Sequence, residues 1–117
     1  MQTAALLKIV QSVLDEHKGQ NIITLDVIKK SNFTDYMVVV TGTSERHLHA
    51  LCEYVSDKSK ENGHKPLGLE GGLGSGWVLL DLGDIIVHAM TVQSRDFYQL
   101  EKLWSVGDAK EMQLQAS

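Results

Sequence analysis

The segment Trp77–Met90, WVLLDLGDIIVHAM, constrains this chain more than any other. Two apolar runs rich in Leu, Ile and Val flank Gly83-Asp84. A glycine at the first central position of a two-residue turn suits a type II′ hairpin, because that position takes a positive φ. The turn then sets the register. Leu82 faces Ile85, Asp81 faces Ile86, Leu80 faces Val87, Leu79 faces His88, Val78 faces Ala89 and Trp77 faces Met90. Opposed residues share a face of the sheet. One face carries Val78, Leu80, Leu82, Ile85, Val87 and Ala89, is wholly apolar, and belongs to the core. The other carries Trp77, Leu79, Asp81, Ile86, His88 and Met90, with Asp81 diagonal to His88. Two readings of this second face stand open. In one, the last helix covers it, Phe97 and Trp104 pack there, and Asp81 and His88 form a satisfied structural pair. In the other, part of it stays open as a docking patch, since Trp, Tyr and Met beside a carboxylate are common at interface centres.

The rest of the chain supplies partners for this hairpin. Leu6, Ile9, Val10 and Val13 recur at helical spacing, with Gly19 as the stop. Ile23, Leu25 and Val27 alternate with Thr24 and Asp26, the period of a half-buried strand. Met37–Val40 is continuously apolar and reads as a central strand covered on both faces. Thr43 or Ser44 caps a second helix, whose buried face is Leu48, Leu51, Cys52 and Val55 and whose end is Asn62-Gly63. Lys65–Leu69 reads as a short strand that Pro66 assigns to an edge or a strand start. GGLGSG (Gly71–Gly76) reads as a flexible loop, and Ser94 caps a last short helix carrying Phe97, Leu100 and Trp104. Residues 105–117 show no apolar pattern and are expected to fray. The order helix, strand, strand, helix, strand, strand, strand, helix is that of a single α/β domain spanning residues 1–117, a mixed sheet flanked by helices rather than a regular doubly wound repeat.

Composition narrows the function. At 117 residues, 43% hydrophobic and 22% charged, the chain is long and apolar enough to bury a core. Its formal charge of −4 and its lack of a basic cluster disfavour general nucleic-acid binding, which Lys and Arg drive, and suit a basic protein surface instead. The single cysteine, Cys52, fits a reducing compartment. No run approaches the roughly 18 apolar residues of a membrane span, so a cytoplasmic location is expected.

The motifs that could carry chemistry do not assemble into a catalytic set. The glycine loop matches neither GxxxxGK[ST] nor GxGxxG, and it precedes a strand rather than a helix. Thr41-Gly42-Thr43-Ser44 lies between a buried strand and a helix, where backbone N–H groups can hold an anion, as in the Gly-Ser turn of nucleotide-transferring enzymes. Those enzymes also need clustered carboxylates for Mg²⁺. Here Asp81 and Asp84 are the only close acidic pair on the sheet, and Asp84 is claimed by the turn. Among the five histidines, His47 and His49 point in different directions on their helix, and no third ligand joins His49 and Cys52, so a solvated helix surface and a buried thiol are expected. Asp35 reads as a turn residue and Tyr36 as a rim aromatic. Glu45, Arg46, Glu101 and Lys102 read as ordinary solvated charges.

Taken in order, the segments resemble one family. DYMVVVTGTSERH (Asp35–His47) is similar to the Asp-Tyr, apolar strand, Gly-x-Ser-x-Arg-His signature of the RsfS/Iojap ribosomal silencing factors. PLGLEG (Pro66–Gly71) followed by WVLLDLGDIIVH (Trp77–His88) resembles its Glu-Gly and Trp…Asp-x-Gly-Asp-x-Val-His block, and RDFYQLEKLW (Arg95–Trp104) its closing motif. The resemblance implies a nucleotidyltransferase-like α/β fold without the catalytic carboxylates, no enzymatic activity and no cofactor or metal. It implies binding to the large ribosomal subunit through a basic ribosomal protein at the intersubunit face, which blocks joining of the small subunit and represses translation during nutrient limitation. It also implies homodimers when free, and large-subunit assembly roles for organelle relatives. An active or degenerate nucleotidyltransferase-like nucleotide-binding protein is the alternative. Carried over by motif, the expected partner contacts are Glu70, Trp77, Asp81, Asp84, His88, Tyr98, Glu101 and Trp104. The glycine-rich Gly71–Gly76 departs from the family pattern.

Overall fold

In the computed structural model, which describes residues 2–100, 102 and 110–113, the elements run α1 (Thr3–Glu16), β1 (Gln20–Asp26), β2 (Tyr36–Thr41), α2 (Glu45–Glu61), β3 (Gly68–Gly71), β4 (Trp77–Asp81), β5 (Ile85–Met90), α3 (Val92–Tyr98) and β6 (Lys110–Gln113). The hairpin forms in the register its turn dictates, from Trp77↔Met90 to Asp81↔Ile86. Gly83 takes φ +89° while Asp84 does not lie at positive φ, which is the type II′ arrangement.

The sheet order is β3-β4-β5-β2-β1-β6, and every pairing is antiparallel except β2 with β5. The parallel pair needs a crossover, which α2 and the β3–β4 hairpin supply. β2 lies centrally and buries Met37, Val38, Val39 and Val40, so its unbroken apolar run reports cover on both faces.

One face of the sheet receives α1 and α2. Leu6, Val10 and Leu14 from α1 and Leu48, Leu51, Cys52 and Val55 from α2 meet Val38, Val40, Val78, Leu80, Ile85 and Val87 in the main core. Each fully buried Leu or Val there contributes about 1.5–3 kcal/mol of transfer free energy. Leu25, Val27, Met37 and Ile23 form a smaller cluster on the opposite face. The alternation seen in β1 therefore marks this second cluster, while Ile22 on the other phase of the strand joins the main core. Tyr36 packs against the main core rather than standing at a rim.

Several local expectations are corrected. α1 ends before Gly19, and Lys18 takes the left-handed turn at φ +69°. Gly19 is instead where the chain passes tightly over the core, for a Cβ there would lie 2.6 Å from Val40 Cγ2 and 2.8 Å from the Leu14 carbonyl. Ser44 caps α2 as expected, accepting from the His47 N–H at 3.1 Å, but α3 is capped by Thr91, which accepts from Ser94 N–H at 3.2 Å. The third strand lies at Gly68–Gly71 rather than Lys65–Leu69, at the sheet edge that Pro66 suggested. Lys110–Gln113, within the stretch expected to fray, adds a sixth strand beside β1.

Candidate functional site

Register places four of the expected contact residues, Glu70, Trp77, Asp81 and His88, on one side. Glu70, Leu79, His88 and Val39 form one row across β3, β4, β5 and β2, and Gly68, Asp81, Ile86 and Met37 form the next. Trp77 begins a further row with Met90 and Thr41. All belong to the face opposite α1 and α2, and α3 lies over its Trp77 end. There the Arg95 guanidinium donates to Thr41 Oγ1 at 2.8 Å, and the Tyr98 ring sits 4.7 Å from that of Trp77.

At that end of the face lies a tryptophan–histidine pair. The Trp77 indole Nε1–H donates to His88 Nδ1 at 3.0 Å. An indole nitrogen only donates, so Nδ1 keeps its lone pair and the ring proton sits on Nε2. His88 is 5% exposed, and burial lowers its pKa from 6.5 to about 4. Its Nε2 is buried without a hydrogen-bond partner among the described residues. The Asp81–His88 pair of the covered-face reading does not form. Both Trp77 and Asp81 are diagonal to His88, but a diagonal spans roughly 7–8 Å, which an indole crosses and a short carboxylate does not. Asp81 Oδ1 instead accepts from the Gly83 N–H at 2.8 Å and braces the hairpin turn.

Around the pair, Trp77 is half-buried and Tyr98 is 48% exposed. Phe97, which the covered-face reading packs onto the face, is 79% exposed and meets Tyr98 edge-on. Glu70 is exposed on the edge strand, Asp81 half-buried and Asp84 exposed. Asp84 is more than a turn residue, since its carboxylate accepts from Thr3 Oγ1 at 2.9 Å and its carbonyl accepts from the N–H groups of Asp35 and Tyr36. The structure thus brings Trp77, His88 and Tyr98 into contact and sets Glu70 and Asp81 on the same face. Glu101 and Trp104 lie outside the described residues.

The glycine loop, expected to be flexible, is tied down. The Gly76 N–H donates to the Glu45 carboxylate, Ser94 Oγ donates to the Ser75 carbonyl at 3.0 Å, and the Thr91 N–H donates to the Gly76 carbonyl at 3.0 Å. Gly72 rests against His49 so closely that a Cβ would stand 2.3 Å from Nε2. Glu45, read from sequence as a solvated charge, joins the first turn of α2 to this loop. Its position at the start of a helix was legible, but its long-range partner was not.

Two amides of the Thr41–Ser44 turn are engaged. The Gly42 N–H donates to the Met90 carbonyl at 3.0 Å and the Thr43 N–H to His47 Nδ1 at 2.9 Å. His47, expected on a solvated surface, is half-buried, and its Nε2–H donates to the His17 carbonyl at 3.0 Å, tying α2 to the end of α1. Cys52 is buried, and burial, assisted by Glu53, pushes its thiol up to about 12. Among the described residues no group of three or more His, Cys, Asp or Glu side chains is arranged to hold a metal ion. No helix among them is long and apolar enough to cross a membrane.

Residues 1–117 match the family model described as ribosomal silencing factor during starvation. The chain is 41% identical over 101 residues to the ribosomal silencing factor RsfS of Haemophilus influenzae, covering 86% of this chain and 99% of that protein. It is 33% identical over 98 residues to the mouse protein named for mitochondrial assembly of the ribosomal large subunit, covering 81% of this chain and 43% of that longer one. A crystal structure of a Chromobacterium violaceum protein superposes with a TM-score of 0.86 at 36% identity, covering 99% of this chain and 95% of that one.

Proposed function

The chain belongs to the family of ribosomal silencing factors, and on that premise we propose that it is a non-enzymatic protein that binds the large ribosomal subunit and blocks joining of the small one, repressing translation when nutrients are limiting. Its partner is a basic ribosomal protein at the intersubunit face. The observation that carries this reading is the outer face of β3–β4–β5, which a half-buried Trp77 backed by Tyr98 shares with the carboxylates of Glu70 and Asp81. A central tryptophan truncated to alanine typically costs an interface about 2 kcal/mol or more. Carboxylates at the rim orient the approach to a basic surface, speed association and weaken with salt. A net charge of −4 favours that protein surface over exposed ribosomal RNA. The protein acts in the cytoplasm and forms a homodimer when free.

Co-sedimentation tests the proposal. The protein pellets with isolated large subunits and not with small ones, and its addition before mixing lowers the yield of joined ribosomes. Failure to pellet with large subunits at low salt removes the proposal. A second reading, a role in large-subunit assembly, draws on the mouse relative's name. It predicts that a deletion strain accumulates large-subunit precursors during growth, whereas the anti-association role predicts excess joined ribosomes under starvation.

A further inference from the structure

We propose that His88 is a positioning residue: its Nδ1 lone pair fixes the Trp77 indole in the orientation presented to the docking partner, while His88 itself stays beneath the surface. The inference rests on the docking reading above and adds the device that shapes its centre.

The two side chains differ in freedom. His88 sits on β5, all six of whose residues are buried, between β4 and β2. Trp77 starts β4, next to the glycine loop, and is half-buried. The buried imidazole is therefore the fixed member and the indole the one that needs fixing. The rings meet at 5.7 Å between centroids and 50° between planes, a tilted approach rather than a stack, so the 3.0 Å N–H···N bond and not ring overlap sets the angle. Tyr98 leans on the indole at 4.7 Å and 51°. Trp77 is thereby gripped at its nitrogen by the sheet and along its ring by α3.

A purely space-filling side chain at this position would be apolar. An imidazole brings a buried Nε2–H that has no partner among the described residues, and such a group is unfavourable in the interior. What it supplies in return is one lone pair on Nδ1, and that lone pair receives the Trp77 proton. The same requirement keeps the ring neutral, because a protonated Nδ1 would face the indole donor with a donor of its own.

The test reads the indole directly and keeps binding separate. In ¹⁵N spectra of the full chain, the indole N–H missing from Trp77→Phe should exchange slowly with solvent and show coupling across the hydrogen bond to His88, with His88 in the Nε2–H tautomer. His88→Asn places an amide oxygen close to where Nδ1 stands and should keep the indole shift and bind large subunits within about threefold of the wild type. His88→Leu removes the acceptor, should move the indole resonance, and should weaken binding about tenfold, the scale of one hydrogen bond with its loss of orientation. A His88→Leu protein that folds and binds as tightly as the wild type overturns the proposal. If that variant fails to fold, the wild-type spectrum decides: a protonated Nδ1, or no coupling to the indole, overturns it equally. Loss of wild-type binding to large subunits would remove the docking reading, while the spectra would still report whether His88 holds Trp77.

Discussion

Acid should destabilise this protein through His88 before its carboxylates are all protonated. The residue ionises near 6.5 when free and at about 4 in the fold, where burial disfavours the charged form. Its folded pKa is depressed, so the unfolded chain takes up a proton that the native state refuses. Stability from this source is complete above the unfolded value and is lost as pH falls toward the folded one. The loss is about 0.8 kcal/mol at pH 6, about 2 kcal/mol at pH 5 and about 3 kcal/mol at pH 4. Against a total of about 5–15 kcal/mol for a domain of this size, that is a substantial fraction. Urea unfolding at a series of pH values, followed by far-ultraviolet circular dichroism, measures it. His88→Asn, which cannot ionise, isolates the contribution from the other histidines. The wild type should lose about 2 kcal/mol more than His88→Asn between pH 7.5 and pH 5. Parallel curves for the two proteins would show that His88 does not exclude the proton, and with it the placement of a neutral imidazole under Trp77 would fall.

Other perturbations follow from the same geometry. Gly19→Ala drives a Cβ to within 2.6 Å of Val40 Cγ2 and 2.8 Å of the Leu14 carbonyl, and should destabilise by about 1–3 kcal/mol in urea melts; an unchanged midpoint would mean that the α1–β1 corner yields freely. Cys52, buried with its thiol raised to about 12, should react with an aromatic disulfide reagent at neutral pH only as fast as the protein opens, so rapid labelling of the native state would contradict its burial. Trp77→Ala should weaken binding to large subunits by about 2 kcal/mol, roughly thirtyfold, while leaving unfolding cooperative, as sedimentation and melting curves together would show.

The hairpin was legible because a two-residue turn leaves no choice of register, and once Leu82 faces Ile85 every pair down to Trp77 and Met90 follows. β2 was legible because continuous apolarity in a short run needs cover on both sides. The pairing on the outer face was not, since His88 has two diagonal neighbours and only side-chain reach chooses Trp77 over Asp81. The clamp on the glycine loop depends on Glu45 and Ser94, which are distant in sequence and ordinary in type. β6 escaped notice because pairing along the free edge of β1 uses backbone groups and asks for no apolar pattern. Thr91 and Ser94 are both good caps, and their relative placement decides which one serves α3.

On the proposed function, one face of this sheet, and not the helical one, meets the ribosome. Charge reversal separates the two faces. Glu70→Lys alters an exposed carboxylate on the outer face at β3, and Glu53→Lys alters an exposed carboxylate on α2. In titrations against isolated large subunits at low salt, the first should weaken binding about tenfold or more, with the gap narrowing as salt rises, and the second should bind as the wild type does. Equal binding by Glu70→Lys and the wild type, with Glu53→Lys impaired, would move the docking surface to the helices and contradict this account.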